Sequence, residues 1–210
     1  TGASGAVYAI RLLQSLAGSD VDVHLTISQS GAAVIRQETG LAIDLKRFQP
    51  NDLLSYSCPW STGVQRTFVE QTDWREITAG RFHYHRFDDY MTPIASGSFR
   101  TRAMVICPCS GSTLSAVSRA AGSNLVQRAA EVHLKEKRKL VLVPRETPVS
   151  TLQLENMYKV SQAGAVILPA MPGWYHDVTS LASLVDFVVS RILDQLEIDN
   201  ELMQRWKESS

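Results

Sequence analysis

The stretch from Lys139 to Ser150 reads Lys-Leu-Val-Leu-Val-Pro-Arg-Glu-Thr-Pro-Val-Ser. Its aliphatic run, Leu140 to Val143, ends at a proline, which is typical of a strand that is covered on both faces of a parallel sheet. Arg145 and Glu146 follow at once. Because ligands of open α/β sheets bind outside the carboxyl ends of the strands, this charge pair is a candidate functional site.

Three further segments have strand patterns. Val21 to Ile27 alternates apolar with polar residues, as a strand near a sheet edge does, and the apolar runs Ala103 to Cys107 and Ala165 to Leu168 end at prolines. Segments with helical periodicity separate these strands. The alternation predicts right-handed βαβ units and therefore an α/β fold with a doubly wound, Rossmann-like or flavodoxin-like parallel sheet. We expect one domain over residues 1–210.

Hydroxyl residues and glycines mark where the helices begin and end. Ser30 is a candidate cap for a helix that ends at Gly40, and Thr179 or Ser180 is a candidate cap for the clearest amphipathic helix. The apolar face of that helix is expected to contain Leu181, Leu184, Val185, Val188, Ile192, Leu193 and Leu196.

Two more helices are expected in the second half of the chain. In the helix that begins at Thr151, we expect Leu154, Met157 and Tyr158 to face the core. A short helix through Leu202 and Trp206 is expected to close the chain.

The segment from Leu41 to Phe87 loses this regularity. It is punctuated by prolines and glycines and is rich in aromatic residues, among them Trp60. A loop of this length is uncommon in a compact domain, so we interpret it as an irregular insertion that is functional, partly structured or used in subunit contacts. Phe82, Tyr84 and Arg86 alternate with other residues and indicate a short strand.

The chain opens on a glycine-rich turn, Thr1-Gly2-Ala3-Ser4-Gly5, which leads directly into a helix. A strand normally precedes such a turn in a βαβ unit. We therefore expect that the printed chain lacks the first few residues of the native protein.

Composition excludes several classes of protein. The 21 Lys+Arg and 21 Asp+Glu residues leave no net charge, which gives no support to a nucleic-acid partner or an anionic membrane surface. No apolar run approaches the roughly 18 residues of a membrane span, and no signal-peptide pattern opens the chain. The expected protein is soluble and cytoplasmic.

Cysteines and histidines give no metal pattern. Three cysteines, an odd number without zinc-type spacing, are typical of a reducing compartment: Cys58, Cys107 and Cys109. The histidines form no HExxH motif and are interpreted as surface residues, with two of them on one strand face: His24, His83, His85, His133 and His176. We expect no metal site.

The segments that follow the strands should meet at one rim of the sheet, because the strands are parallel. These segments are rich in hydroxyls and glycines: Gly2-Ala3-Ser4-Gly5, Ser28-Gln29-Ser30, Ser110-Gly111-Ser112-Thr113, Arg145-Glu146-Thr147 and Pro172-Gly173-Trp174-Tyr175. Hydroxyls, helix N-termini and an arginine are suited to phosphate. The rim therefore predicts a phosphorylated, heterocyclic cofactor. The GxGxxG spacing and the acidic residue of NAD-binding folds are missing, which disfavours NAD.

Each rim segment also has a purely structural interpretation. Ser110 to Thr113 can be a helix cap with its neighbours, and Arg145 with Glu146 can be a structural ion pair. Tyr175 can be a packing aromatic, and Arg191 a solvated arginine on the outer face of its helix. The residues alone leave these alternatives open.

Several motifs together resemble the UbiX/Pad1 family of flavin prenyltransferases. They cover most of the chain outside Leu41 to Phe87, and they are Thr1-Gly2-Ala3-Ser4-Gly5-Ala6, Ser96-Gly97-Ser98-Phe99, Cys107-Pro108-Cys109-Ser110, Arg128-Ala129-Ala130, Leu134-Lys135-Glu136, Val143-Pro144-Arg145-Glu146-Thr147-Pro148, Gly164-Ala165-Val166-Ile167 and Arg191-Ile192-Leu193-Asp194-Gln195-Leu196.

The resemblance implies a metal-independent, homo-oligomeric enzyme, a dodecamer by the family pattern. Such an enzyme joins a dimethylallyl group from dimethylallyl monophosphate to N5 and C6 of reduced FMN, and the prenylated FMN serves a UbiD-type decarboxylase. The implied FMN contacts are Gly2, Ala3, Ser4, Ser28, Ser110, Gly111, Ser112, Thr113 and Arg145. The implied prenyl-phosphate contacts, some from a neighbouring subunit, are Lys135, Arg145, Tyr175 and Arg191. The implied catalytic residues are Ser4, Glu38 and Glu146.

Two other functions remain to be weighed. A related FMN-dependent cysteine decarboxylase is expected to have a histidine in the first helix, and the segment from Ala6 to Leu16 has none. A non-catalytic flavin carrier or regulatory subunit would retain the hydroxyl turns without needing Lys135, Glu146, Tyr175 and Arg191, and all four are present. This inventory favours a prenyltransferase.

Overall fold

The computed structural model describes residues 1–59, 63–175 and 178–203. Its helices are Ala6–Ala17 (α1), Gln29–Thr39 (α2), Asn51–Leu54 (α3), Gly63–Gln71 (α4), Trp74–Thr78 (α5), Gly111–Ser118 (α6), Leu125–Lys135 (α7), Thr151–Gln162 (α8) and Leu181–Gln195 (α9), with a 3₁₀ turn at Pro93–Ala95. Its strands are Val23–Leu25 (β1), Phe82–Tyr84 (β2), Ala103–Cys109 (β3), Lys139–Pro144 (β4) and Val166–Ile167 (β5).

Strand β4 is the centre of a parallel sheet in the order β3-β4-β5. Leu140 and Leu142 pack into one apolar core with residues of α6, α7 and α8. Val141 and Val143 pack into a second core with residues of α1 and α9 on the opposite face. All four side chains are fully buried, which contributes about 1.5–3 kcal/mol each. The predicted α/β fold with helices on both faces of a parallel sheet is confirmed.

Strand β3 is longer than predicted. The expectation that it stops at Pro108 is wrong, because pairing resumes after a register shift and Cys109 lies opposite Pro144 of β4. The carbonyl oxygen of Pro108 accepts a hydrogen bond from Thr1 Oγ1 at 2.6 Å. The end of β3 is thereby joined to the glycine-rich turn at the start of the chain.

Strands β1 and β2 form a separate parallel pair, in which Val23 lies opposite Phe82. The predicted short strand after residue 80 is therefore present, although it ends before Arg86. The segment from Leu41 to Phe87 contains α3, α4, α5 and β2, and its buried residues pack with α1 in a third core. Whether this segment is an insertion in the domain stays a prediction.

A cavity of about 450 Å³ separates the two sheets. It is lined by residues of β1 and β3, by apolar side chains of α1 and α7, and by Thr1. Thr26, which also lines the cavity, has a buried hydroxyl with no hydrogen-bond partner among the described residues.

The expectation that a strand precedes the glycine-rich turn stays a prediction.

Several helix details differ from the sequence-based expectations. Ser28, not Ser30, caps α2 by accepting a hydrogen bond from the Gly31 backbone at 3.0 Å, whereas the predicted end at Gly40 is correct. Ser180 caps α9, and Leu181 at its first position is exposed rather than in the apolar face.

The prediction for the inner face of α8 is partly wrong. Leu154 and Tyr158 are 55% and 63% exposed, whereas Asn156 and Val160 are buried. Residues four apart share a helix face, so Leu154 and Tyr158 form an outer apolar stripe. Met157 packs against the core as expected.

Some expectations fall on residues outside the described ranges. They concern Trp60, His176 and the part of the closing helix that contains Trp206. Among the helices that the structure describes, none is both long and apolar enough to cross a bilayer.

His24 of β1, His83 of β2 and His85 just after β2 lie together, and for His83 and His85 this agrees with their spacing of two residues. His24 Nδ1 lies 2.9 Å from His85 Nε2, and the His24 ring is 4.8 Å from that of His83. The edge contact of Phe99 covers His24. Burial and the neighbouring imidazoles lower the pKa values of His24 and His85, while nearby aspartates oppose the shift. Among the histidines in the described ranges, the description as a surface histidine is correct for His83, which is exposed, and not for the others.

We expect the free energy of unfolding to decrease as the pH falls below about 6.5, the ordinary pKa of histidine. Because the folded pKa values of His24 and His85 are lowered, the unfolded chain binds protons first. The stabilisation that these two neutral histidines contribute is complete above their pKa in the unfolded chain. It is lost as the pH falls toward their lower pKa in the folded protein. Urea unfolding between pH 7.5 and 5, at fixed protein concentration, measures the slope of the free energy of unfolding against pH. His85→Gln should flatten it; an equally steep slope in that variant would contradict the assignment.

Candidate functional site

The rim at the carboxyl ends of the strands is held together by direct contacts. The backbone N–H of Ser110 donates to Thr1 Oγ1 at 2.9 Å, and Arg145 Nε donates to the carbonyl oxygen of Ser4 at 3.2 Å. A Cβ on Gly2 would approach the Ser30 side chain to 2.7 Å, so only glycine fits there. The turns after β1, β3 and β4 therefore meet the glycine-rich turn, as the parallel topology predicts.

Glu38 lies at the N-terminus of α1. Its carboxylate accepts hydrogen bonds from the backbone N–H groups of Gly5 at 3.0 Å and Ala6 at 2.7 Å. Gly5 has a φ of 110°, which points these amides at the carboxylate. An anion at a helix N-terminus is stabilised by the helix dipole. Glu38 is thus fixed at Gly5 and Ala6, next to Ser4 along the chain; the resemblance implies that both Glu38 and Ser4 are catalytic.

The turn before α6 presents a cluster of hydroxyls. Ser110 Oγ caps the helix by accepting from the Thr113 backbone, and it also lies 3.1 Å from Ser112 Oγ. The cap interpretation is correct for Ser110, and the other N–H groups of the first turn of α6 are donors of the kind that helix N-termini offer to an anion. Behind this turn, burial raises the pKa values of Cys107 and Cys109 to about 12, so both thiols are neutral packing groups.

Arg145 does not form the structural ion pair that the sequence left open. Across the described ranges, no carboxylate lies within 4.0 Å of its guanidinium, and its Nε donates instead to the Ser4 carbonyl oxygen. Its positive charge also acts on Tyr8 of α1, whose pKa is raised by burial and lowered in part by Arg145. Because its guanidinium has no carboxylate partner in the described ranges, Arg145 can bind a phosphate group at the rim.

Glu146 is exposed at the rim and receives one hydrogen bond. Gln153 Nε2 donates to Glu146 Oε2 at 3.2 Å. Gln153 is also the third residue of a capping box with Ser150, so its amide is held at the N-terminus of α8.

Lys135 and Arg191 lie away from this rim. Lys135 ends α7 and is paired with Glu136, immediately before β4 begins at Lys139. It is therefore at the amino edge of the sheet, and the 6 residues of β4, roughly 16 Å of strand, separate this edge from Arg145. Arg191 pairs with Asp194 at 2.8 Å, near the end of α9.

The end of α9 is also at the amino edge. Glu197 lies just beyond the helix. Its side-chain Oε1 accepts a hydrogen bond from Lys139 Nζ at 2.9 Å, and its backbone carbonyl oxygen accepts one from the Arg102 guanidinium at 3.0 Å. Tyr175, in the loop after β5, has its ring against Phe187 of α9 and is 54% exposed. One chain therefore does not bring Lys135 and Arg191 together with Arg145.

The residues at the rim fit FMN, the cofactor that the resemblance implies. Helices α2, α6 and α8 begin there with serine caps, and their other first-turn amides are donors for an anion. The close approach of the Ser30 side chain to Gly2 brings the hydroxyls after β1 next to the glycine-rich turn. Hydroxyls, amides and one guanidinium match the phosphate and the ribityl hydroxyls of FMN.

Sequence reasoning missed two residues of this site. Tyr8 lies in the first turn of α1, and its ring packs beside Gly5. Gln153 had a visible signal, since Ser150 and a Gln three residues later form a capping-box signature. Within the described ranges, no cluster of three or more His, Cys, Asp or Glu side chains has a geometry suited to a metal ion.

Comparisons with known proteins identify the family of this chain. The Flavoprotein family model matches residues 1–193. Flavin prenyltransferase UbiX of Pseudomonas aeruginosa is 48% identical over 208 residues, which are 99% of this chain and 91% of that protein. Flavin prenyltransferase UbiX of Halalkalibacterium halodurans is 43% identical, again over 99% of this chain and 91% of the relative.

Two solved structures extend the likeness to three dimensions. The crystal structure of AnUbiX (PadA1) in complex with FMN and dimethylallyl pyrophosphate superimposes with a TM-score of 0.79 at 34% identity, over 100% of this chain and 95% of that chain. A dodecameric FMN-dependent UbiX-like decarboxylase from Escherichia coli O157:H7 gives a TM-score of 0.76 at 35% identity, over 100% and 96%. The chain therefore belongs to the UbiX flavin prenyltransferases, within the Flavoprotein family.

Proposed function

We propose that this protein is a flavin prenyltransferase that joins a dimethylallyl group from dimethylallyl monophosphate to N5 and C6 of reduced FMN. The observation that carries the proposal is the position of Arg145: it follows β4, contacts the glycine-rich turn through Ser4, and has no carboxylate partner in the described ranges. A relative of known structure binds FMN and dimethylallyl pyrophosphate together. The prenylated FMN would serve a UbiD-type decarboxylase.

The rim residues have distinct roles in this proposal. The amides and hydroxyls at Gly2, Ala3, Ser4, Ser28 and the Ser110–Thr113 turn hold FMN, with Ser4 near the flavin N5. Bound reduced FMN supplies the nucleophilic N5 and C6 positions. Arg145 holds the FMN phosphate on one side and the prenyl phosphate on the other, because its planar guanidinium offers five donors.

The remaining polar groups act on the departing phosphate and on protons. Loss of phosphate leaves an allylic cation, so positive charge near the phosphate stabilises the transition state. Arg145 supplies that charge within one chain, and Glu146 holds or moves a proton at the leaving phosphate or at flavin C6. Glu38 anchors the α1 N-terminus beside Ser4 and completes the site.

The phosphate site is completed by other copies of the chain. Lys135 and Arg191 lie toward the amino edge of the sheet, so they can reach the prenyl phosphate at Arg145 only from neighbouring subunits. A dodecameric relative supports a homo-oligomer of the same kind. The outer apolar residues Leu154, Tyr158 and Leu181 supply exposed surface for such contacts.

Anaerobic incubation with reduced FMN and dimethylallyl monophosphate, followed by mass analysis of the extracted flavin, tests the function. We expect the mass of a dimethylallyl adduct. Glu146→Gln should keep FMN but slow its formation by about 100-fold, the scale of lost acid–base catalysis. Glu155→Gln is the matched control, because Glu155 is exposed and paired with Lys159 on α8. An unchanged flavin mass with folded, FMN-loaded protein would exclude the transferase.

A further inference from the structure

Gln153 lies between the N-terminus of α8 and Glu146. Its Oε1 accepts from the backbone N–H of Ser150 at 2.8 Å, and its Nε2 lies 3.2 Å from Glu146 Oε2. A backbone N–H can only donate, so the amide oxygen must face Ser150. The NH₂ group is then directed at the carboxylate. The orientation of this amide follows from its partners alone.

The Gln153 side chain is anchored on a fixed helix. The Gln153 backbone N–H donates to Ser150 Oγ at 3.3 Å, which completes the capping box. One turn later, buried Asn156 accepts from Ser118 Oγ at 2.8 Å and ties α8 to α6. A Cβ on Gly111 would approach Gln153 Nε2 to 3.0 Å. The amide therefore touches both the α6 turn and Glu146.

We propose that Gln153 is a positioning residue that holds the Glu146 carboxylate at the rim during prenyl transfer through the hydrogen bond from its Nε2. This inference rests on the proposed function. An NH₂ group offers donors and no acceptor, so it can hold a carboxylate oxygen only by donating to it. Because Gln153 Oε1 accepts the hydrogen bond from the Ser150 backbone N–H, the side-chain amide cannot flip to present this oxygen to Glu146.

The decisive variant is Gln153→Glu. Glutamate at this position keeps the capping box, because its carboxylate also accepts from the Ser150 N–H. It also replaces a donor by a negative charge opposite Glu146, and two adjacent carboxylates retain a proton to higher pH than one does. We expect unchanged melting, because the capping box is retained. The limb of the pH–rate profile that Glu146→Gln abolishes should move up by about 1 pH unit.

Ser150→Ala is the structural control. It removes the side-chain cap of α8 and should lower the melting temperature, but it leaves the Ser150 backbone N–H that orients Gln153. Its pH–rate profile should match that of the wild type. A pH–rate profile in Gln153→Glu that equals the wild-type profile would overturn the proposal. A shift of the profile in Ser150→Ala as large as that in Gln153→Glu would also overturn it.

A second readout does not depend on activity. A carbodiimide reacts with protonated carboxyl groups, so the pH dependence of Glu146 labelling, read by peptide mass spectrometry, reports its protonation. We expect labelling to extend to higher pH in Gln153→Glu. If the wild-type protein forms no prenylated flavin, the proposed function fails, and the labelling curve still decides the coupling. Coincident curves for the wild type and the variant would sink the inference.

Discussion

Replacing Arg191 with alanine should raise the KM for dimethylallyl monophosphate by about 10- to 100-fold, the value of one hydrogen bond to a charged group. The Kd for FMN should change by less than about 2-fold, because Arg191 is remote from the FMN contacts of its own chain. Steady-state kinetics and flavin fluorescence measure the two constants. Arg102→Ala is the matched control: Arg102 is an exposed arginine that pairs with Glu197 near the end of α9.

The same variant tests whether the phosphate site is shared between subunits. Oligomers of Arg191→Ala lack the phosphate contact, and oligomers of Glu146→Gln lack the proton-handling group. Mixed assemblies contain some sites with Arg191 from one subunit and Glu146 from another. Activity should therefore rise above that of either variant alone when the two impaired proteins are unfolded together and reassembled. No recovery in the mixture, or equal weakening of FMN and prenyl phosphate by Arg191→Ala, would contradict the shared site.

The fold could be predicted where burial leaves one arrangement. Leu140 to Val143 is apolar at every position, so the strand must be covered on both faces, and the two cores around β4 show this cover. Helix α8 is different, since apolar residues occur on more than one face. Leu154 and Tyr158 share one face, whereas Asn156 and Val160 share the buried one. Local pattern does not say which face meets the sheet.

The same limit applies to caps and to the site. Ser28 and Ser30 can both cap a helix, and the end of β1 decides between them. The rim residues were predictable because parallel strands end together. The contact between Gln153 and Glu146 depends on the path of the turn after β4, which no spacing rule specifies. Lys135 and Arg191 were tied to the site only by resemblance, because in one chain they lie at the amino edge of the sheet, and only the proposed assembly would bring them to Arg145.

A buried ion pair joins α1 to α9 and carries the largest expected effect on stability. Arg11 Nε donates to Asp186 Oδ1 at 2.6 Å, and Gln65 of α4 donates to Asp186 Oδ2 at 2.6 Å. Asp186 is 6% exposed. Asp186→Ala leaves the Arg11 guanidinium without its carboxylate, so the free energy of unfolding should fall by about 3–5 kcal/mol. Urea unfolding at pH 7 measures the loss.

Replacing both Arg11 and Asp186 by apolar residues should not lower the free energy of unfolding. Burial raises the pKa of Asp186 even though Arg11 and Gln65 oppose the shift, so the pair does not fully offset the cost of burying the carboxylate. A raised folded pKa means that stability falls as the pH rises from about 3.8 through the folded value, and at pH 7 the whole cost is present. Arg11→Met with Asp186→Leu should therefore match or exceed the wild type, by up to about 4 kcal/mol. A double variant as unstable as Asp186→Ala would show instead that the charges themselves hold α1 against α9.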